Sequence, residues 1–115
     1  FYAFPNLNRY IGKRVNKYEY ILVSVISPLK KTRIYAHKKF GKNYYEVNTN
    51  CNLNELIRRD TKKLYLKAKQ KKINDLIGYN SIIKYEKTKY KKIIINTAKE
   101  KVAVSANKIL KKINL

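Results

Sequence analysis

Between Asn8 and Ile26 apolar and polar positions alternate with a period of two, and the alternation is interrupted once, at Asn16-Lys17. That pattern predicts two short strands joined by a turn. Tyr10, Gly12 and Arg14 share one face of the first strand, with Ile11, Lys13 and Val15 on the other. In the second strand Tyr18, Tyr20, Leu22, Ser24 and Ile26 share a face, opposed by Ile21, Val23 and Val25. A strand apolar on nearly both faces belongs inside a sheet rather than at its edge. Residues 1–9 precede it as an N-terminal arm, with the aromatics of Phe1–Leu7 expected to dock on the core. Pro28 punctuates the chain after the hairpin, because proline cannot donate into a ladder. Thr32–Phe40 alternates again, with Ile34, Ala36, Lys38 and Phe40 opposite Arg33, Tyr35, His37 and Lys39. Gly41-Lys42-Asn43 is a further turn, and Tyr44–Val47 a last short strand. Residues 10–49 therefore predict an antiparallel β meander.

After Asn50 the period changes. Asn52 with Glu55 three residues on resembles a capping box. Leu53, Leu56, Ile57, Leu64 and Ala68 follow at helical spacing, while Leu66, Ile73 and Ile77 form an offset row. This predicts a helix over 53–77 that breaks or shifts near Asp60-Thr61. Residues 79–90 are polar and Lys-rich and read as a loop or extension. Residues 91–115 give a short apolar strand centred on Ile93-Ile94-Ile95, then Thr97 and Glu100 as a second capping box. A closing helix carries a stripe of Val102, Ala106, Ile109, Leu110 and Ile113. A strand set between two helices invites parallel pairing with an earlier strand. The expected fold class is α/β (α+β) in a single domain. Its small mixed sheet begins as an antiparallel meander and continues α-β-α, with the helices packed on the sheet.

Charge narrows the function. The 115 residues hold 28 Lys plus Arg against 7 Asp plus Glu, a formal net charge of +21. A compact domain so charged repels itself, which points to a polyanion in its surroundings. Its 44% apolar content is too high for a disordered basic tail. Lys, Asn, Ile and Tyr supply more than half of the chain, a bias typical of AT-rich genomes, which explains the excess of Lys over Arg but not the scarcity of acids. No apolar run approaches a membrane span, and the single Cys51 excludes an intramolecular disulfide or a cysteine metal cluster.

For polyanion binding the candidates are Arg9, Lys13, Arg14, Asn16 and Lys17 around the first turn. Lys30, Lys31, Arg33, Lys38, Lys39 and Lys42 extend the surface, and Tyr18 and Tyr35 are candidates to stack on unpaired bases. Catalytic chemistry finds little support. His37 is the only histidine, no D-x-D or E-x-E pair is present, and Gly12, Gly41 and Gly78 stand apart rather than in a phosphate-cradling loop. No catalytic residue, metal or cofactor is expected on these grounds.

Arg14, Asn16, Lys17, Tyr20 and Val23 match a hairpin pattern Arg-x-Asn-Lys-x-x-Tyr-x-x-Val. With the order of the later elements, the chain resembles the large-subunit ribosomal protein family eighteen, which binds 5S rRNA, and especially its mitochondrial members. That resemblance implies a non-enzymatic structural constituent of an organellar, most readily mitochondrial, ribosome. Its partners would be ribosomal RNA and neighbouring ribosomal proteins, with no membrane and no small-molecule substrate. The loop that bacterial members carry after the last apolar strand is missing here, since Asn96 runs almost directly into the next cap. The small-subunit ribosomal family that shares this fold and a non-ribosomal architectural nucleic-acid-binding module remain alternatives.

Overall fold

Val47–Asn50 (β1) and Ile93–Asn96 (β2) pair in parallel, Val47 opposite Ile93 and Asn50 opposite Asn96. Ile93 N–H extends the ladder by donating to Glu46 O at 2.8 Å. These strands form a two-stranded sheet in a computed structural model that describes residues 3–114. The parallel pairing follows from the sequence, because helical segments separate the two strands and a parallel pair needs such a crossover. Ile93 and Ile95 are buried on one face of β2, while Ile94 on the opposite face is half exposed. The fold is thus α/β, with Leu53–Arg59 (α3) and Leu64–Lys69 (α4) on the connection between the strands and Val102–Lys112 (α5) after β2.

The antiparallel meander is not there. Ala3–Gly12 is a helix (α1), not an arm leading into a strand. Pro5 falls in its first turn, where the missing N–H has no intrahelical partner to lose. Phe4, Leu7, Asn8 and Ile11 also recur at helical spacing, a pattern that competes with the alternation from Tyr10 onward. The part of the predicted arm at Phe1 and Tyr2 lies outside the described residues. The segment from Tyr18 to Leu29 has no regular secondary structure and joins no ladder.

Thr32–Phe40 is likewise helical, within Lys30–Phe40 (α2). Its alternation coexists with an i, i+3, i+4, i+7 row of Arg33, Ala36, His37 and Phe40, and Arg33 and Ala36 of that row are buried. Gly41 ends α2 with φ +55°, a left-handed conformation that glycine adopts without steric cost, and begins a single 3-10 turn, Gly41–Asn43. Lys39 Nζ donates to Asn8 O at 2.9 Å and ties α2 to α1. A Cβ at Gly12 would come within 3.0 Å of that same ammonium, so the glycine admits the approach.

The predicted 53–77 helix divides into α3 and α4. Asn52 Oδ1 accepts from Glu55 N–H at 2.9 Å and starts α3. Asp60 ends it and caps α4, accepting from Tyr65 and Leu66 N–H at 3.1 and 3.0 Å. Burial would raise the Asp60 pKa, but these amides with that of Leu64, helped by Lys63, outweigh it and hold the carboxyl below its ordinary value.

At the end of the chain Thr97 is not a helix cap. Its N–H and Oγ1 both donate to Asn50 O, at 2.8 and 3.2 Å, which fastens the carboxyl end of β2 to that of β1. Glu100 works alongside it, accepting from Asn96 N–H at 3.1 Å and Ser105 Oγ at 2.9 Å. Helix α5 begins only at Val102 and buries Ser105, leaving Val102, Val104 and Leu110 exposed. Its apolar stripe is therefore largely uncovered in this chain.

Candidate active site

The most heavily constrained polar cluster gathers on α2. Pro28 is fully buried and Ser27 nearly so, at the entrance to the helix. Ser27 Oγ shares a 2.9 Å hydrogen bond with Thr32 Oγ1, which donates to Leu29 O at 2.8 Å, so the helix entrance is closed by its own hydroxyls. Glu86 reaches across from the 79–90 segment. Its N–H donates to Pro28 O at 2.8 Å, and its carboxylate accepts from Lys30 N–H at 2.6 Å, at the positive end of the α2 dipole.

Arg33 binds these pieces together from below. Its Nη1 donates to Ser27 O and its Nη2 to Glu86 O. The guanidinium lies 5.0 Å from the Tyr85 ring centroid. Its Nε stands 3.4 Å from Glu46 Oε1, and the other carboxylate oxygen is 3.5 Å from His37 Nε2. Arg33 Nε, His37 Nε2 and Glu46 Oε2 are buried without hydrogen-bond partners, so the Arg33–Glu46 contact is one of charge rather than a directed bond. The His37 ring stacks on Tyr90 at 4.2 Å and meets Tyr44 edge-on at 4.5 Å. Burial pushes the Tyr44 hydroxyl above its ordinary pKa, and the Glu46 carboxylate adds to that. The result is a rigid frame that fixes the Ser27-Pro28 corner and the Tyr85-Glu86 crossing against each other.

A second polar cluster lies at the carboxyl ends of the strands, where open α/β sheets bind their ligands. Glu55 accepts from Arg58 Nε and Nη2 and from Arg59 Nε, each at 2.7 Å, and Arg59 Nη2 donates to Thr97 O at 2.7 Å. The bonds from Arg58, joined by those from Arg59, hold the Glu55 carboxyl at about 2 against an opposing effect of burial. A carboxylate with a depressed folded pKa stabilises above its unfolded value and loses that contribution as pH falls through the folded one. The pair is solvent-screened, so its effect is small. Acid titration of the wild type should still show a loss of α3 helicity between pH 4.5 and about 2 that Glu55→Gln lacks. Identical acid profiles by circular dichroism would remove the charge network from the account of α3.

The residues proposed for polyanion binding do not form one surface. Arg9 is on α1, and Lys13, Asn16, Lys17 and Tyr18 are exposed beyond its end, not on a hairpin tip. Arg14 lies over the Tyr10 ring at 3.4 Å and donates to Tyr10 O at 3.2 Å. Lys30, Lys31, Lys38 and Lys42 are exposed along α2 and the turn after it, and Tyr35 is exposed near Lys39, whose ammonium is 5.9 Å from its ring. Arg33 is buried and cannot meet RNA. Missed altogether were Ser27, Glu46, Tyr85 and Glu86. The one local signal for them was an apolar strand-length run ending in Ser-Pro directly before a helical row. Among the described residues no group of His, Cys, Asp and Glu is placed to hold a metal ion, and no helix is long and apolar enough to cross a membrane.

Parallel strands joined through helices, with polar clusters at strand ends and helix entrances, define an α/β protein. Known proteins similar to this chain are kinases. The cytidine diphosphoramidate kinase of Campylobacter jejuni is 34% identical over 95 residues, 83% of this chain and 54% of that protein. A probable adenylyl-sulfate kinase of Pyrococcus abyssi is 33% identical over 79% of this chain and 51% of its own length. The adenylyl-sulfate kinase of Buchnera aphidicola reaches 44% identity over 54% of this chain, covering 30% of that protein. The family model for adenylylsulphate kinase matches residues 9–96. The chain belongs to the adenylylsulphate kinase family. It spans about half the length of the first two of these relatives. No solved structure matches it.

Family membership overturns the ribosomal reading, its rRNA and ribosomal-protein partners, and the expectation of a non-enzymatic protein without a small-molecule substrate. Of the five residues of the supposed ribosomal hairpin motif, Arg14, Asn16 and Lys17 sit on a turn after α1, and Tyr20 and Val23 on a segment that joins no ladder, so no hairpin carries the motif.

Proposed function

We propose that this chain supplies the acceptor-side part of a kinase that phosphorylates a nucleotide of the adenylyl sulfate or cytidine diphosphoramidate type. The observation that carries the reading is the family match over residues 9–96, which includes the whole frame around Ser27, Arg33, Glu46 and Glu86. Both types of acceptor are nucleotides bearing a modified, polar terminal group, and a strongly cationic chain suits them. Catalysis of phosphoryl transfer is chiefly positioning and charge stabilisation, with little covalent work for side chains. A frame that fixes two backbone crossings by a buried guanidinium suits that task, and it accounts for why the sequence lacks a conventional acid–base pair. The donor phosphates need a cradle that Gly12, Gly41 and Gly78, far apart in sequence, do not make.

The test is titration of the 115-residue chain with adenylyl sulfate and with cytidine diphosphoramidate, followed by amide NMR. Localised shifts at Ser27–Lys31 and Tyr85–Lys87 with one nucleotide, absent with inorganic pyrophosphate, are the expected outcome. Shifts spread over all Lys-rich segments and erased by modest salt would reduce the interaction to bulk charge. That outcome would sink the acceptor-site reading.

A further inference from the structure

Among the described residues Glu46 is the only buried acid, and its two oxygens face unlike partners. Oε1 stands 3.4 Å from Arg33 Nε, a cation at any ordinary pH. Oε2 stands 3.5 Å from His37 Nε2, and that contact is an ion pair only when the imidazole is protonated. Both atoms of the second contact are buried without a hydrogen-bond partner. Leaving two such atoms unsatisfied is costly, and a proton on Nε2 opposite a carboxylate oxygen relieves both at once. The ring's other neighbours favour the same charged form. It stacks on Tyr90 with centroids 4.2 Å apart and planes 15° apart, and an aromatic face attracts a cation. Tyr44 meets it edge-on at 4.5 Å, and burial pushes that hydroxyl above its ordinary pKa, so it stays neutral. Arg33 is the opposing group, a second cation on the same carboxylate. The His37 side chain keeps 13% of its surface exposed, which lets protons reach the ring from water.

Tyr90 ends the 79–90 segment, and the same segment carries the crossing over α2. There Glu86 N–H donates to Pro28 O, the Glu86 carboxylate accepts from Lys30 N–H, and Tyr85 lies 5.0 Å from the Arg33 guanidinium. We propose that His37 is a pH-operated latch: its protonated ring, held between Glu46 and Tyr90, locks the 79–90 segment onto α2, and loss of the proton frees the crossing at Glu86. The sign follows from which form is paired. The protonated ring stabilises the closed arrangement, so the latch is shut toward acid and opens as pH rises through the release of that proton. The latch stands on the geometry around Glu46 alone. That the crossing borders a nucleotide site rests on the kinase reading.

His37 is the only histidine, so every imidazole signal of the chain is its own. The experiment follows that ring by NMR and the Glu86 amide by hydrogen exchange on the 115-residue chain, from about pH 5.5 to about pH 8.5, the interval in which histidine ordinarily titrates. Corrected for the intrinsic pH dependence of exchange, protection of the Glu86 amide should fall at least about tenfold, with the midpoint of the ring's titration. His37→Gln should show the low protection at every pH, and Glu46→Gln should abolish the pH dependence. Tyr90→Leu should lower the protection at the acid end. A ring that titrates in the wild type while Glu86 protection stays level overturns the proposal, and that result needs no variant to fold. So does a pH dependence that survives in folded His37→Gln. Protection that follows the ring in a chain binding neither adenylyl sulfate nor cytidine diphosphoramidate would retain the latch and remove the kinase reading. Localised nucleotide binding at Ser27–Lys31 with Glu86 protection indifferent to His37 would do the reverse.

Discussion

Arg33→Ala should be among the most damaging single substitutions in the chain, lowering its unfolding free energy by about 3–5 kcal/mol, the range found when one partner of a buried ion pair is removed. The size follows from what is left behind. Ser27 O and Glu86 O would lose their donors, and the buried Glu46 carboxylate would lose its nearest cation. Arg33→Lys should recover part of the loss, because an ammonium keeps the charge but cannot serve three acceptors in one plane. Adding Glu46→Gln to Arg33→Ala should cost less than the two single losses summed, since the stranded charge is removed with its partner. Urea unfolding of the wild type and of the four variants, Glu46→Gln alone included, measures all of this. A loss below about 1 kcal/mol for Arg33→Ala, the value of a solvated pair, would show that the guanidinium is not a keystone.

That buried arginine also marks where sequence reading fails. An arginine flanked by lysines and set against Tyr35 and His37 looks like part of a cationic face, and no local pattern says otherwise. Its burial depends on Ser27, Glu46 and Glu86, the last separated from it by 53 residues. The same residues carried two periods at once: Ile34, Ala36, Lys38 and Phe40 alternate, while Arg33, Ala36, His37 and Phe40 recur as a helix does. Tertiary contacts chose the second. At the amino end Pro5 argued for a turn or arm, although a first helical turn accepts it equally. Where one period stood alone the reading fared better. The Ile93–Ile95 run between helical segments predicted a strand that pairs in parallel, and Asn52 and Asp60 fall where α3 begins and ends. The net charge pointed to phosphate-rich ligands, but charge cannot tell a nucleotide from a ribosomal RNA. The family match over residues 9–96 overturns the ribosomal reading, and no local charge pattern carries that information.

The two faces of β2 offer the second large effect. Ile93 and Ile95 are buried at 8% and 7% exposure, and Ile94 between them is 46% exposed. Side chains along a strand alternate, so three identical residues report on three environments at a spacing of one residue. Ile95→Ala should cost about 2–5 kcal/mol through lost transfer energy and the cavity it leaves, and Ile93→Ala a similar amount. Ile94→Ala in the chain alone should cost well under half as much, because much of its surface is already in water. The contrast should shrink if the second face is covered. Equal losses at all three isoleucines in the free chain would mean that this face is already covered without a partner.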